Sequence, residues 1–307
     1  VHDRAPHSGI YPDYLDYLRH ARKQSDKPLA LVSNHQGSGS DALAVAATRE
    51  GFPVIDGLRP FLVAARNALA WRDWRARGTQ SIPTLPEAAG DRRGFAGEGA
   101  PLKLLVAGDS AAAGVGVSRQ EDALLGQVVS RLASRYRVEF GLLAKTGFTT
   151  ADILGCLDEM EPRHYDVVLT SLGVNDVLAL TSRTTWLARQ KRLRQVLREK
   201  FGARLLLISG LPPIHSFPAL PQPLRWHLGS RATEFNDLLG AAVAAEADVR
   251  LVNLRFAADV GMMASDGFHP GPPIYSEWAE RAAQCILACD GALHAVKSPI
   301  AAPADAR

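Results

Sequence analysis

The segment Leu102-Lys103-Leu104-Leu105-Val106-Ala107-Gly108-Asp109-Ser110 is an apolar run that stops abruptly at a glycine, an aspartate and a serine. A short Leu/Val-rich run bounded by turn residues reads as a strand covered on both faces. Four runs of the same kind follow, at Val138 to Leu143, Val167 to Leu172, Leu205 to Ser209 and Val249 to Val252. Helical stretches separate them, at about Asp122 to Ser134, Thr150 to Met160, Thr184 to Lys200 and Arg231 to Ala245, and one more closes the series at Ile274 to Ala288. Strand and helix in alternation predict an α/β fold, a parallel sheet with helices on both faces, because right-handed crossovers place helices on each side. Ligands of such sheets bind beyond the carboxyl ends of the strands, so chemistry is expected in the loops that follow them.

The first of these loops is Gly108-Asp109-Ser110. Glycine permits a sharp exit from the strand, and Ser110 is expected near the start of a helical segment, where backbone N–H groups point outward. The second, Lys145-Thr146-Gly147-Phe148-Thr149-Thr150, offers a glycine N–H and an N-cap threonine at Thr149. The third, Gly173-Val174-Asn175-Asp176, offers a side-chain amide. The fourth, Ser265-Asp266-Gly267-Phe268-His269-Pro270, places a carboxylate and an imidazole three residues apart in a segment with turn character. Taken singly, each of these is also an ordinary turn. Together they supply what acyl transfer needs. A serine hydroxyl requires a base to accept its proton, and an imidazole works best when a carboxylate holds its tautomer. Asp109 and Asp176 read as structural hydrogen-bonding groups. The long, proline-stiffened stretch Leu211 to Trp226 is a candidate wall of a substrate pocket, or equally a packed crossover.

These four blocks, in this order, resemble those of the SGNH hydrolases, also called GDSL esterases/lipases, over about residues 101–290. The resemblance implies a flavodoxin-like three-layer α/β/α sandwich. It implies Ser110 as nucleophile, His269 as base and Asp266 as its orienting carboxylate, with an oxyanion hole made by Ser110 N–H, Gly147 N–H and the Asn175 amide. It further implies a small acyl-ester substrate, turned over through an acyl-enzyme by a serine esterase. Acyl-CoA thioesterase or lysophospholipase activity would use the same three residues, and a non-catalytic binding module is the remaining alternative. Leu143-Ala144-Lys145 departs from the Asn-Ala-Gly-like lead-in common in the second block.

Upstream, residues 79–100 are rich in Gly, Pro and small side chains and read as a linker. Residues 1–78 form a partial α/β segment with expected helices at Tyr14 to Gln24, Asp41 to Glu50 and Pro60 to Arg75, and strands at Pro28 to Ser33 and Val54-Ile55. Within it, Lys27-Pro-Leu-Ala-Leu-Val-Ser-Asn34, Glu50-Gly-Phe-Pro-Val-Ile-Asp-Gly57 and Asn67-Ala-Leu-Ala-Trp-Arg-Asp73 are similar to part of the ligase-CoA region of NDP-forming acyl-CoA synthetases. The segment lacks that family's phosphohistidine and ATP-grasp parts, so it reads as a structural remnant or a docking surface. Residues 291–307 read as a C-terminal tail.

The 307 residues carry 47% hydrophobic and 22% charged side chains, as a folded globular chain does. A formal net charge of +3 without a basic run does not point to nucleic acid as a partner. Three cysteines, Cys156, Cys285 and Cys289, form no CxxC pair, which implies neither a disulfide framework nor a zinc site. His164, His215 and His227 lack metal-ligand spacing, so neither a metal nor another cofactor is expected. No apolar stretch has the length of a membrane span or the form of a leader, and the expectation is a cytoplasmic protein without a span. Composition is silent on oligomeric state.

Overall fold

The computed structural model describes residues 13–24, 29–33, 42–66, 85–222 and 224–294. The chain divides into two compact units, Val1–Ser81 and Ile82–Arg307.

In the first unit, helix α1 (Asp13–Gln24), strand β1 (Leu31–Ser33), helix α2 (Ala42–Arg49) and strand β2 (Val54–Asp56) are followed by helix α3, described over 58–66. β1 and β2 pair in parallel, with Leu31 opposite Val54. Leu15, Ala47 and Phe52 are the buried centre, and the Arg22 guanidinium lies 3.6 Å from the centre of the Phe52 ring. Strand and helix positions follow the sequence reading as far as residue 66. The remainder of the expected Pro60 to Arg75 helix and the stretch Asn67 to Asp73 lie outside the described residues, as do Lys27, Pro28 and Asn34.

The second unit contains a six-stranded sheet in the order β3-β5-β4-β6-β7-β8. Its strands are β3 (Arg93–Ala96), β4 (Ala100–Gly108), β5 (Tyr136–Ala144), β6 (Val167–Ser171), β7 (Leu205–Ser209) and β8 (Val249–Val252). β3 runs antiparallel to β5 at the edge, and the other five are mutually parallel. Their order is that of flavodoxin-like folds, so the unit is an α/β/α sandwich of that kind. Alternate residues of β4 serve opposite faces. Leu102, Leu104 and Val106 join the core formed with α4 (Leu124–Leu132) and α9 (Pro272–Ala288), while Leu105 and Ala107 are equally buried outside that cluster. The other helices are α5 (Thr150–Glu159), α6 (Val174–Leu178), α7 (Arg183–Glu199), α8 (Leu224–Val243) and the short α10 (Asp290–His294). Among them Trp186 of α7 stacks on Phe235 of α8 at 4.3 Å.

Three readings need correction. Residues 85–100 are not free linker: they carry β3 and the first residue of β4, and Ala88 and Ala89 donate backbone hydrogen bonds to Ala113 O and Ser118 O. Composition missed this because β3 is a four-residue edge strand with Phe95 facing outward, without the apolar alternation that marks a half-buried strand. Helix α8 begins at Leu224 rather than Arg231, so Trp226 belongs to a helix and not to the loop. Asn175 and Asp176 lie in the one-turn helix α6.

Candidate active site

Strand register brings the loops to one level. Gly108 pairs with Ala144 on β5 and Ser171 on β6, and β7 and β8 end together at Ser209 opposite Val252. Gly108 is required by space: an added Cβ would fall 2.5 Å from Ser171 O and 2.6 Å from the Ala112 side chain. Ser110 therefore emerges from the centre of the sheet, two residues after a glycine whose backbone is pressed against β6.

No helix starts at Ser110. Successive turns follow, closed by Ala113 N–H to Asp109 O at 2.9 Å and Val115 N–H to Ser110 O at 3.0 Å, and the next α-helix begins at Leu124. The small residues Ala111 to Gly116 curl into these turns, so no helix dipole backs the serine. Tyr275 of α9, fully buried, donates its hydroxyl to Val115 O at 2.7 Å and fixes the far end of this loop. Gln120 does the same from the other side, its amide donating to Ala113 O and Ala88 O at 3.0 and 3.1 Å. The sequence carried no signal for Tyr275 or Gln120, because each acts through tertiary contact with backbone.

The fourth loop closes on this serine. Asp266 Oδ1 accepts the N–H groups of Phe268 and His269 at 2.9 and 3.0 Å, a turn that swings the imidazole over its own carboxylate. His269 Nδ1 then lies 2.5 Å from Asp266 Oδ2, and His269 Nε2 lies 3.0 Å from Ser110 Oγ. Asp266 is buried, which pushes its carboxyl up, but the hydrogen bonds from the His269 ring and from the His269 and Phe268 amides outweigh this and hold it below the ordinary carboxylate range. It therefore stays charged. An ionised carboxylate on Nδ1 keeps the proton there and leaves Nε2 able to take one from Ser110. The Phe268 ring stands edge-on to His269, 5.0 Å between centres, and edge-on to Phe217 at 5.3 Å.

The second and third loops are tied to each other. The Asn175 amide donates one hydrogen to Phe148 O at 2.9 Å, which leaves its second hydrogen available. Asp176 accepts from Thr150 N–H and Oγ1–H at 2.9 and 2.8 Å. Burial pushes the Asp176 carboxyl up, opposed by the two Thr150 bonds and by the Arg189 charge. Gly147 adopts φ +86° with open space around the position of a missing Cβ, so the backbone conformation and not crowding calls for glycine there. Among the described residues, neither Ser110 N–H nor Gly147 N–H meets an acceptor.

Asp109 follows the sequence reading as a hydrogen-bonding group, accepting from Ala111 N–H at 3.1 Å and Ser171 Oγ–H at 3.4 Å. Burial dominates its titration and pushes it up to about 7. A cavity of about 610 Å³, counted to its solvent-open mouth, adjoins Ser110, His269 and Asp109. Its walls are apolar, with Pro212, Phe217, Leu254, Met263, Ile274 and Trp278 among them. The Leu211 to Trp226 stretch therefore does contribute a wall, through Pro212 and Phe217. At the end of β7, Ser209 accepts the Trp278 indole N–H at 3.0 Å, which satisfies both buried polar groups. Among the described residues no three His, Cys, Asp or Glu side chains gather as a metal site would require, and no helix is long and apolar enough to cross a membrane.

A serine, an imidazole and a buried carboxylate in hydrogen-bonded series at the carboxyl end of a parallel sheet are the equipment of a serine hydrolase. Residues 106–276, more than half of the chain, match the model of the GDSL-like lipase/acylhydrolase family, and the chain belongs to that family. It is accordingly a hydrolase of carboxylic esters of the serine type. Among solved structures, that of TesA aligns at 27% identity over 60% of this chain and 97% of its own, with a TM-score of 0.46. The lipase/acylhydrolase from Enterococcus faecalis aligns at 22% identity over 60% and 95%, with a TM-score of 0.46. A member of the lipolytic G-D-S-L family from Veillonella parvula aligns at 16% identity over 60% and 98%, with a TM-score of 0.49. No curated protein matches the chain.

Proposed function

We propose that the protein is a serine esterase that hydrolyses small, short-chain acyl esters through an acyl-enzyme intermediate. Ser110 Oγ attacks the ester carbonyl carbon as its proton passes to His269 Nε2, and Asp266 supports the imidazolium so formed. The tetrahedral oxyanion is met by Ser110 N–H, Gly147 N–H and the free hydrogen of the Asn175 amide. Collapse breaks the bond to the alcohol oxygen, which takes the proton from Nε2. Water then repeats the sequence on the acyl-enzyme, releasing the acid and restoring Ser110. No cofactor enters any step.

The observation that carries this reading is the continuous path from Ser110 Oγ to His269 Nε2 at 3.0 Å and from His269 Nδ1 to Asp266 Oδ2 at 2.5 Å. The acyl chain is assigned to the apolar cavity beside Ser110. Replacing Ser110 with alanine is expected to lower kcat on p-nitrophenyl butyrate by about 10⁴-fold or more and to abolish labelling by a fluorophosphonate. Parent-like hydrolysis by Ser110→Ala would exclude the assignment.

The apolar walls of that cavity also suit a second reading, in which the same three residues cleave longer acyl chains from acyl-CoA or lysophospholipid. Comparing kcat/KM on p-nitrophenyl esters of increasing length, acyl-CoA and lysophospholipid separates the two. Residues 11–77 are read as a structural remnant resembling part of an acyl-CoA synthetase. The parallel pairing of β1 with β2 supports an α/β origin for that segment.

A further inference from the structure

We propose that Glu87, which lies outside the family-matched residues, is a positioning residue that holds the Gly147 amide in place for the oxyanion. The inference rests on the reading of Gly147 as an oxyanion donor. Glu87 Oε1 accepts both the backbone N–H of Thr146, at 2.7 Å, and its hydroxyl, at 2.8 Å. Glu87 Oε2 pairs with the Arg92 guanidinium at 2.5 Å, and the same guanidinium donates to Ala144 O at 2.8 Å. Arg92 O in turn accepts the Leu142 N–H at 2.8 Å, which joins this segment to the end of β5. The bracket thus grips the chain at Leu142, Ala144 and Thr146, immediately before the glycine.

Thr146 is the residue whose backbone sets the peptide plane of the Gly147 N–H. Gly147 itself has no side chain, a left-handed φ of +86° and open space around its missing Cβ, so nothing on that residue restrains the plane. The loop's own contribution is one turn, Phe148 N–H to Lys145 O at 3.2 Å. Burial raises the Glu87 carboxyl, yet the two Thr146 donors and Arg92 outweigh burial and hold it below the ordinary range. It therefore remains an ionised, two-oxygen acceptor. An oxyanion donor contributes only if its direction is settled before the charge develops, and a misplacement of about 1 Å can cost about 10²-fold in rate. Glu87 touches no reacting atom. Its action passes through Thr146.

Glu87→Ala and Glu87→Gln in the full chain test this, with p-nitrophenyl butyrate kinetics and amide hydrogen exchange read together. Glu87→Ala is expected to lower kcat about tenfold with KM within about twofold of the parent, since the oxyanion exists only in the transition state. The Thr146 and Phe148 amides should exchange at least about tenfold faster, while amides of β4 and β6 keep parent rates. Glu87→Gln retains an acceptor oxygen for Thr146 and should recover most of kcat. Unchanged Thr146 exchange in Glu87→Ala, or a loss carried by KM, would overturn the proposal. A parent that neither cleaves esters nor reacts with a fluorophosphonate at Ser110 would overturn the esterase reading. The exchange measurement would still decide whether Glu87 holds the loop.

Discussion

The two sides of the nucleophile strand are built from opposite materials. On the β5 side, and at the tip of α6, backbone and amide donors are held by a mesh of polar contacts: Glu87 on Thr146, Asn175 on Phe148, and Asp176 on Thr150. On the side of β7 and β8, Phe217, Leu254, Met263 and Trp278 line an apolar cavity with few polar groups. Under the proposed esterase reading, the difference is a division of labour. Developing charge needs donors whose directions are settled in advance, whereas an alkyl chain needs only a dry volume of the right length. Ser110 and His269 stand between the two.

Perturbing the axis shared by both sides should have the largest effect. Asp266→Asn is expected to lower kcat by about 10³ to 10⁴-fold on every ester, whatever its chain, because the imidazole loses the group that sets its tautomer. A loss confined to long or to short chains would show that Asp266 shapes the cavity instead. On the donor side, Asn175→Ala should reduce kcat by about 10² to 10³-fold, again uniformly along a series of p-nitrophenyl esters. The cavity side should behave differently. Ala257→Phe, which projects a ring from a buried lining position, is expected to cost about tenfold in kcat/KM on chains long enough to reach it and little on acetate. Equal losses on acetate and longer esters would place the acyl chain elsewhere.

The effect at Asp109 falls on stability and not on rate. Its carboxyl rises from the ordinary value to about 7 on folding. Between those two values the folded chain therefore binds more protons than the unfolded one, and stability declines as pH rises toward about 7. Asp109→Asn keeps an acceptor for Ala111 and removes the titration. Its Tm, measured by calorimetry from about pH 5 to about pH 8, should fall less than that of the parent. Parallel Tm curves would show that Asp109 does not carry this dependence.

Much of the second unit was legible because its signals are local. Leu102 to Ala107 and its four counterparts are short runs rich in Val and Leu, and all five appear as strands, buried on both faces in β6 and β7 but with Arg250 and Leu251 exposed on the edge strand β8. The Gly108-Asp109-Ser110 and Asp266 to His269 blocks were legible for a similar reason, since an aspartate three residues before a histidine closes its own turn. β3 was not legible: an exposed edge strand of Arg-Gly-Phe-Ala has no period to read, and its pairing with β5 depends on a segment more than forty residues away. The start of α8 was hidden by the prolines before it, which mark the end of a loop as readily as the beginning of a helix.

From the sequence alone came the α/β class, the five parallel strands, and the identity of a serine, an aspartate and a histidine able to work as a unit. Those follow from side-chain chemistry and short-range spacing, which are written along the chain. Only the tertiary structure decided that Ser110 is backed by turns and not by a helix, that Tyr275 and Gln120 fix its loop, that Glu87 grips Thr146, and that residues following β7 and β8 help to line the cavity. Each of these depends on a backbone group meeting a partner brought near by folding. Backbone groups are alike at every position, so nothing in the order of residues marks which carbonyl or N–H will be met.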